Sequence, residues 1–361
     1  MNVDFLVGHA RSEKYGTDKI ATNIIPLMKG LGVKGKVIDY RLRYHFPLSR
    51  LLFVPAYYSF ISHVKKRSDS IKHVTSQEHA HILNFTRLRP CVVTCHDVIP
   101  IAFKDVSRLE LQYAYLYLRG LVKADWIITD SFSSKRDIEQ YLNYPEDKIT
   151  VIYPGVDHEK YRPRNVDQSI LSKYGIADDT RYILHVGAES PRKNVEGLIK
   201  AFYKLKKVVK GVKLVKAGGS HWQPARSRLL RLISDLNLSR DVIFTNYVSE
   251  EELIELYNGA ELFVFPSFYE GFGLPVLEAM ACGIPVMASN SSSLPEVVGE
   301  DGLVVDPYNI DALARAMYEV LTNEGLRYDI ANAGLKRAKE FSWEKTAQET
   351  VKVYQELQIK L

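Results

Sequence analysis

Cysteine is scarce in this chain: 361 residues hold three, Cys91, Cys95 and Cys282. An odd set in mostly apolar surroundings excludes a disulfide framework and reads as reduced core thiols. Cys95 beside His96 supplies too few ligands for a closed zinc site, so no metal site is expected. Long apolar runs are also missing. Without a stretch of about 18 apolar residues, no bilayer-spanning helix is expected. The segment Met1 to Gly8 lacks a charged n-region and a cleavage site, so the expectation is a cytoplasmic protein without an export signal. Gly8-His9-Ala10-Arg11 follows the first strand-like run where a dinucleotide oxidoreductase would carry Gly-x-Gly-x-x-Gly. The net charge of +5 is small for this length. It argues against a dedicated nucleic-acid binder and permits anionic small molecules or a lipid surface.

What is present is alternation. Strand-like and helix-like runs succeed one another from Val3 to Val7, Lys19 to Leu31, Lys36 to Asp39 and Leu48 to Lys66. They continue through Cys91 to Cys95, Ser107 to Val122, Trp126 to Thr129, Ser131 to Leu142 and Ile149 to Tyr153. Such alternation means βαβ units and a parallel sheet. Pro154-Gly155 and a polar stretch through Asn165 then break the pattern. It restarts at Tyr182 to Val186 and runs to Ile284 to Ala288, with helices closing the chain from Ile310. The expectation is an α/β protein with two Rossmann-like domains, 1–165 and 166–340, and a closing helix at 341–361 that returns to the first domain. Two such sheets place two sets of strand carboxyl ends where they can face across a cleft.

One segment carries most of the chemistry: Phe268-Tyr269-Glu270-Gly271-Phe272-Gly273-Leu274-Pro275, continuing through Glu278 to Ala281. It opens where the apolar run Leu262 to Phe265 meets Pro266, at a strand's carboxyl end, where ligands of open α/β sheets collect. Gly271 and Gly273 admit close backbone approach, and Pro275 suits a first helical turn whose remaining amides face an anion. If Glu270 to Glu278 were all helix, its eight rises would separate the two carboxylates by roughly 12 Å, about a sugar plus a diphosphate.

A second cluster follows the run Tyr182 to Val186. Gly187-Ala188-Glu189-Ser190-Pro191-Arg192-Lys193-Asn194 is a phosphate-type loop, with Asn194 expected to cap a helix from Val195. Arg192 offers planar bidentate bonds to phosphate oxygens and Lys193 a compact charge. The alternative is a pair of solvated surface cations. Lys216-Ala217-Gly218-Gly219-Ser220 stands at another strand end, where Gly218 permits close approach to a nucleotide. In the first half, Val92 to Pro100 puts His96 and Asp97 at a strand end. Both are candidates for polar contact with a ligand at that strand end; the alternative is a structural histidine. Between Arg41 and Arg67, six cations flank the apolar, aromatic run Leu51 to Ile61. That segment reads as an interfacial amphipathic stretch, or as a core helix with a basic end.

Together, Gly187 to Asn194, Tyr247 to Leu253, Phe265 to Ala281 with its Glu-x7-Glu, and Leu294-Pro295-Glu296-Val297-Val298-Gly299 resemble the retaining glycosyltransferases of family four, which have the GT-B fold. The resemblance implies that Arg192 and Lys193 neutralise a donor diphosphate and that Glu278 holds the ribose hydroxyls. It places Glu270 beside the donor sugar and the backbone of Gly271, Phe272, Gly273 and Leu274 over the transferred sugar and phosphate. Gly187 and Gly218 fall in the donor site, and Gly16 is aligned with the family's paired glycines after the first strand. Arg11, Lys14 and Lys19 are left as candidates for an anionic group. His96 belongs with Glu270, Arg192 and Lys193 among the catalytic candidates, and Asp97 with the acceptor.

The activity so implied is retaining transfer of a hexose, mannose favoured, from a GDP- or UDP-sugar to a glycan or lipid-linked saccharide. No cofactor or metal is expected, in agreement with the absence of an Asp-x-Asp pair in a suitable loop. Peripheral contact with the inner face of a membrane is allowed, and nucleic acid is not expected as a partner. The rival readings are a nucleotide-sugar epimerase and a non-catalytic nucleotide-sugar-binding protein.

Overall fold

In a computed structural model, which describes residues 1–8, 16–40, 69–103, 106–220 and 223–360, the strands form two sheets of six. The first contains β1 (Asn2–Gly8), β2 (Lys34–Tyr40), β3 (Ile71–Val74), β4 (Cys91–Cys95), β5 (Trp126–Thr129) and β6 (Ile149–Val151). Their order is β2-β1-β3-β4-β5-β6, and all the pairings are parallel. The second contains β7 (Arg181–Val186), β8 (Val212–Ala217), β9 (Val242–Asn246), β10 (Leu262–Phe265), β11 (Val286–Ser289) and β12 (Leu303–Val305). Its order is β12-β11-β10-β7-β8-β9, again parallel throughout. Strands covered on both faces read as continuous apolar runs, and Cys91 to Cys95, Trp126 to Thr129 and Leu262 to Phe265 are buried at every position.

The chain divides into two units, Met1–Gly155 with Trp343–Leu361, and Val156–Ser342. The first break falls just after Pro154-Gly155. The polar stretch up to Asn165, assigned by the sequence reading to the first domain, lies in the second unit because its side chains are engaged there. Tyr161 is buried and its ring stands edge-on to Tyr257, while Arg164 Nη2 lies 2.5 Å from Glu255 Oε1.

The longer helices described in the first unit before the C-terminal one are α1 (Gly16–Gly30), α2 (Arg108–Leu121) and α3 (Phe132–Leu142). Ser107 and Glu110 form a reciprocal capping box that starts α2. Strand β3 escaped the sequence reading because Lys72 and His73 interrupt its apolar pattern. Both are buried with partners. Lys72 Nζ lies 3.0 Å from Asp4 Oδ2 on the neighbouring β1, and Ser70 Oγ donates to the same carboxylate oxygen at 2.7 Å. The two ring nitrogens of His73 are hydrogen-bonded to Tyr354 Oη and Thr94 Oγ1.

The second unit adds α4 (Val195–Lys206), α5 (Gln223–Asp235), α6 (Glu250–Asn258), α7 (Leu274–Ala281), α8 (Ile310–Thr322) and α9 (Glu324–Ala338). The last helix, α10 (Trp343–Ile359), returns to the first unit. There Tyr354 meets His73, Thr346 Oγ1 donates to the Tyr153 carbonyl at 2.8 Å, and Lys360 Nζ sits 4.3 Å from the centre of the Trp126 ring. No helix among the described residues is long and apolar enough to cross a membrane. Cys91, Cys95 and Cys282 are buried, free thiols.

The strand orders fix where a ligand can sit. In the second sheet the chain proceeds outward from β7 through β8 to β9, then jumps back across β7 to β10 and runs the other way. Loops leaving the carboxyl ends of β7 and β10 therefore diverge at the topological switch point, the place where open α/β sheets leave a crevice.

Candidate active site

The loops at that switch point are the two singled out by the sequence. After β7, Pro191 to Lys193 make one tight turn, and Asn194 follows in the left-handed region, which asparagine tolerates. Its Oδ1 accepts from the Gly197 amide at 3.2 Å and so caps α4. Its Nδ2 donates to the Pro266 and Pro307 carbonyls at 3.1 and 2.8 Å. One side chain thus ties the β7 loop to the β10 loop, and the Phe268 amide donates to the Arg192 carbonyl at 2.7 Å to complete the seam.

Across this seam, Glu270 receives both cations. Arg192 Nη1 donates to Glu270 Oε2 at 2.8 Å, and Lys193 Nζ lies 2.7 Å from Glu270 Oε1. Arg192 also donates to the Tyr269 carbonyl, and Lys193 lies over the Phe265 ring. Glu270 is 6 % exposed, Lys193 8 % and the Arg192 side chain 22 %, and both cations are paired, so these are not solvated surface cations. Burial by itself would raise the Glu270 carboxyl, but attraction to Lys193 and Arg192 outweighs it and holds the pKa down to about 2. Beneath them, buried His185 is stacked on Phe265 and donates from Nδ1 to the Val264 carbonyl at 2.9 Å. Burial depresses its pKa to about 3, keeping it neutral.

A second charged knot adjoins the first. Glu189 accepts from Lys216 Nζ at 3.0 Å and from Arg226 Nε at 2.9 Å on both oxygens, while Arg226 lies over the Phe244 ring. Each knot sets two cations against one carboxylate, so the rim of the crevice is formally cationic and suited to a polyanion. Helix α7 adds to this field. It begins at Leu274 behind Gly273, whose φ is +119°, and has no side-chain cap at its positive end.

Only Leu274–Ala281 is helical, so the roughly 12 Å carboxylate spacing expected for a continuous helix does not apply. Glu270 stands in the loop before it, and Glu278, buried within α7, accepts from Tyr257 Oη at 3.1 Å. Gly187 packs against the Lys193 stem and His185, each 3.5 Å from where a Cβ would be. Gly218 has φ +110°, and a Cβ there would lie 2.4 Å from the Gly187 carbonyl oxygen. Close packing of these two loops on one another accounts for that glycine without a ligand.

In the first unit, His96 and Asp97 follow β4. Asp97 Oδ1 accepts from the Ile99 amide at 3.0 Å, opening the short helix Ile99–Ala102. His96 Nδ1 is 2.8 Å from Asp130 Oδ2, and both residues are buried. Its Nε2 is buried without a hydrogen-bond partner among the described residues. Burial alone would lower the His96 pKa, but the Asp130 carboxylate reverses this and the net shift is upward. Gly16 is the first residue of α1. Lys19 lies within α1, whereas Arg11, Lys14 and the basic aromatic segment from Arg41 to Arg67 fall outside the described residues.

Sequence reasoning missed several supports of this site. Asp130 is a single acid after β5 with no pattern around it. Ser292 holds a left-handed φ of +51° and its Oγ accepts from the Glu270 amide at 2.8 Å; Ser293 Oγ donates to the Glu270 and Phe272 carbonyls at 3.0 and 2.8 Å. The run Ser291-Ser292-Ser293 before Leu294-Pro295 was the available signal. Among the described residues, no group of three or more His, Cys, Asp or Glu is placed to hold a metal ion.

Comparison with known proteins agrees with this architecture. Residues 22–160 match the family described as Glycosyltransferase Family 4, and residues 166–337 match Glycosyl transferases group 1. The O-antigen chain mannosyltransferase B of Escherichia coli is 36% identical over 274 residues, spanning 74% of this chain and 71% of that protein. The serotype-specific mannosyltransferase WbdA of Escherichia coli is 34% identical over 265 residues, which cover 71% of this chain and 32% of the much longer relative. In fold, the chain superimposes on the sucrose-phosphate synthase of Thermosynechococcus elongatus with a TM-score of 0.83 over 100% of both chains, at 21% identity. Two parallel-sheet Rossmann-like units, a C-terminal helix returning to the first, and these matches mean that the chain belongs to the family four, group 1 glycosyltransferases of GT-B fold, enzymes that move a sugar from a nucleotide-sugar to an acceptor.

Proposed function

We propose that the protein is a retaining hexosyltransferase that moves mannose from a GDP- or UDP-sugar to a hydroxyl of a glycan or lipid-linked acceptor, without a metal. The observation that carries the reading is the Arg192-Glu270-Lys193 cluster at the switch point of the second sheet. In it, Arg192 and Lys193 take the donor diphosphate, with Gly187, Gly218 and the backbone of Gly271, Phe272, Gly273 and Leu274 alongside. Glu270 stands beside the sugar and Glu278 holds the ribose. Gly16 belongs with the donor-binding residues, His96 with the catalytic ones and Asp97 with the acceptor.

The chemistry follows from charge. As the bond to the diphosphate breaks, negative charge grows on the leaving phosphate, and fixed cations and helix amides stabilise it without reorganising. Glu270 supports this before the donor arrives by pairing with both cations, buried Lys193 and part-buried Arg192, and holding them in place. Retention corresponds to attack by the acceptor hydroxyl on the face the phosphate leaves, with the proton passing to that phosphate. Mannose is favoured because two of the relatives above are mannosyltransferases. The reading places the enzyme at the cytoplasmic face of a membrane, held peripherally through the basic aromatic stretch around Leu51 to Ile61.

The test is product analysis. Incubation with GDP-α-mannose and a mannose-terminated glycan should give a product whose new linkage is α by NMR. A β linkage would overturn retention, and an altered free sugar with no new glycosidic bond would move the protein to epimerase chemistry.

A further inference from the structure

Helix α2 exposes side chains that a water-facing helix ordinarily keeps inside. Leu109 is 62% exposed, and Tyr113, Tyr115 and Leu116 are exposed with it. At 100° per residue, Leu109, Tyr113 and Leu116 fall along one edge of the outer face, at i, i+4 and i+7. Tyr115 and Val122 fall along the other edge, and Arg108, Gln112 and Arg119 run between them. The single acid on the helix, Glu110, is turned back into the capping box with Ser107.

The same surface continues past the end of α2 into a hollow of about 630 Å³. Asn84 Nδ2 donates to the Leu116 carbonyl at 2.7 Å, which brings the next residue, Phe85, 65% exposed, alongside the helix. Phe85 and Val122 line the hollow together with Arg87, Arg89, Lys123 and Lys148. The one carboxylate lining it, Asp125, is already engaged by Arg89 at 3.1 Å and by the Cys91 amide at 3.0 Å. Arg87, Lys123 and Lys148 make no side-chain hydrogen bond or ion pair among the described residues.

Strand direction places this hollow away from the proposed chemistry. It is built from the segments entering β4, β5 and β6, at the amino ends of those strands, whereas His96 follows the carboxyl end of β4. Aromatic and aliphatic side chains interleaved with cations, beside a hollow holding three cations without partners, match the boundary of an anionic bilayer. There the apolar groups enter the acyl boundary and the cations meet phosphate.

We propose that the outer face of α2, with Phe85 and the Arg87/Lys123/Lys148 hollow, is a docking surface for an anionic membrane, the hollow receiving a lipid headgroup phosphate. The inference rests on the peripheral-membrane part of the function proposed above and assigns it a surface separate from Leu51 to Ile61.

The test is co-sedimentation of the whole protein with phosphatidylcholine vesicles, with and without phosphatidylglycerol. Each cation near such a surface strengthens binding several-fold, so the triple variant Arg87→Glu, Lys123→Glu, Lys148→Glu should weaken binding to the anionic vesicles by at least about tenfold. Leu109→Ser with Leu116→Ser should also weaken it. All five positions are exposed, and thermal unfolding together with hydrolysis of soluble donor checks that both variants stay folded. Binding that survives both sets, or is equal on neutral vesicles, overturns the proposal. So does binding of glycerol phosphate in the hollow without vesicle binding, which marks a soluble-ligand site. Wild-type self-association lost in the serine variant, again without vesicle binding, would instead mark the face as a contact between copies. Loss of vesicle binding on removing only the apolar character of Leu51 to Ile61, with the α2 variants unaffected, overturns this surface and leaves the broader membrane reading standing.

Discussion

Lys193 Nζ lies 2.7 Å from Glu270 Oε1 in a site where both side chains are almost wholly buried. With Arg192 on the other oxygen, the carboxylate holds together the two cations assigned here to the donor phosphates. Breaking a buried pair by removing one partner typically costs about 3–5 kcal/mol. Lys193→Ala should therefore lower stability by an amount of that order in chemical denaturation, besides abolishing transfer. The sign with pH is fixed. Glu270 falls from its ordinary value of 4.5 to about 2 on folding, so its contribution is complete above 4.5 and is lost as pH falls toward 2. The variant should lose less stability across that window than the parent.

Ser292 is a second point of leverage, because a non-glycine residue sits at φ +51° so that its hydroxyl can accept the Glu270 amide. Ser292→Ala keeps the strain and loses the bond, and should cost about 1 kcal/mol in denaturation with weaker donor binding. Ser292→Gly relieves the strain, so it should cost less stability while impairing donor binding as much. Equal stability losses in the two variants would show that the strain is not released by glycine.

The His96–Asp130 pair predicts a titration. Burial alone would lower the His96 pKa, and the Asp130 carboxylate reverses this. Its folded-state value being raised, the pair contributes stability that is present below the ordinary histidine range and is lost as pH rises through the folded pKa. Asp130→Asn should drop the imidazole pKa, followed by NMR, below the ordinary histidine value and should slow transfer. An unchanged titration would remove Asp130 from its role.

His73 runs the other way. Burial lowers its pKa from 6.5 to about 3, so the unfolded chain takes up a proton the folded one refuses, and stability falls as pH drops from 6.5 toward 3. His73→Gln should flatten that loss in acid denaturation. Tyr354→Phe removes the hydroxyl that joins α10 to His73 and should cost about 1 kcal/mol.

How much could be read in advance followed from how each residue does its work. Strands β4, β5 and β10 were legible because burial on both faces leaves unbroken apolar runs. Strand β3 was not, because Lys72 and His73 are satisfied by Asp4, Thr94 and Tyr354, partners distant in sequence. The Arg192-Lys193 and Glu270 to Glu278 segments announced themselves through glycine, proline and charge at strand ends. The contact of Arg192 and Lys193 with Glu270 was hidden, since it joins loops 77 and 78 residues apart. Gly218 was legible as a glycine at a strand end, but its left-handed φ and the Gly187 carbonyl that leaves no room for a Cβ there were not.

On the function proposed above, the chain takes a nucleotide-sugar at the Arg192-Glu270-Lys193 cluster and releases the nucleotide on transfer without a metal. This is tested most directly by presenting GDP-mannose, UDP-glucose and UDP-N-acetylglucosamine to the purified protein, with and without chelator, and measuring nucleotide release. The account predicts slow release from one donor, GDP-mannose first, unchanged by chelator and lost in Lys193→Ala. Release that needs added metal, or that persists in Lys193→Ala, would contradict it.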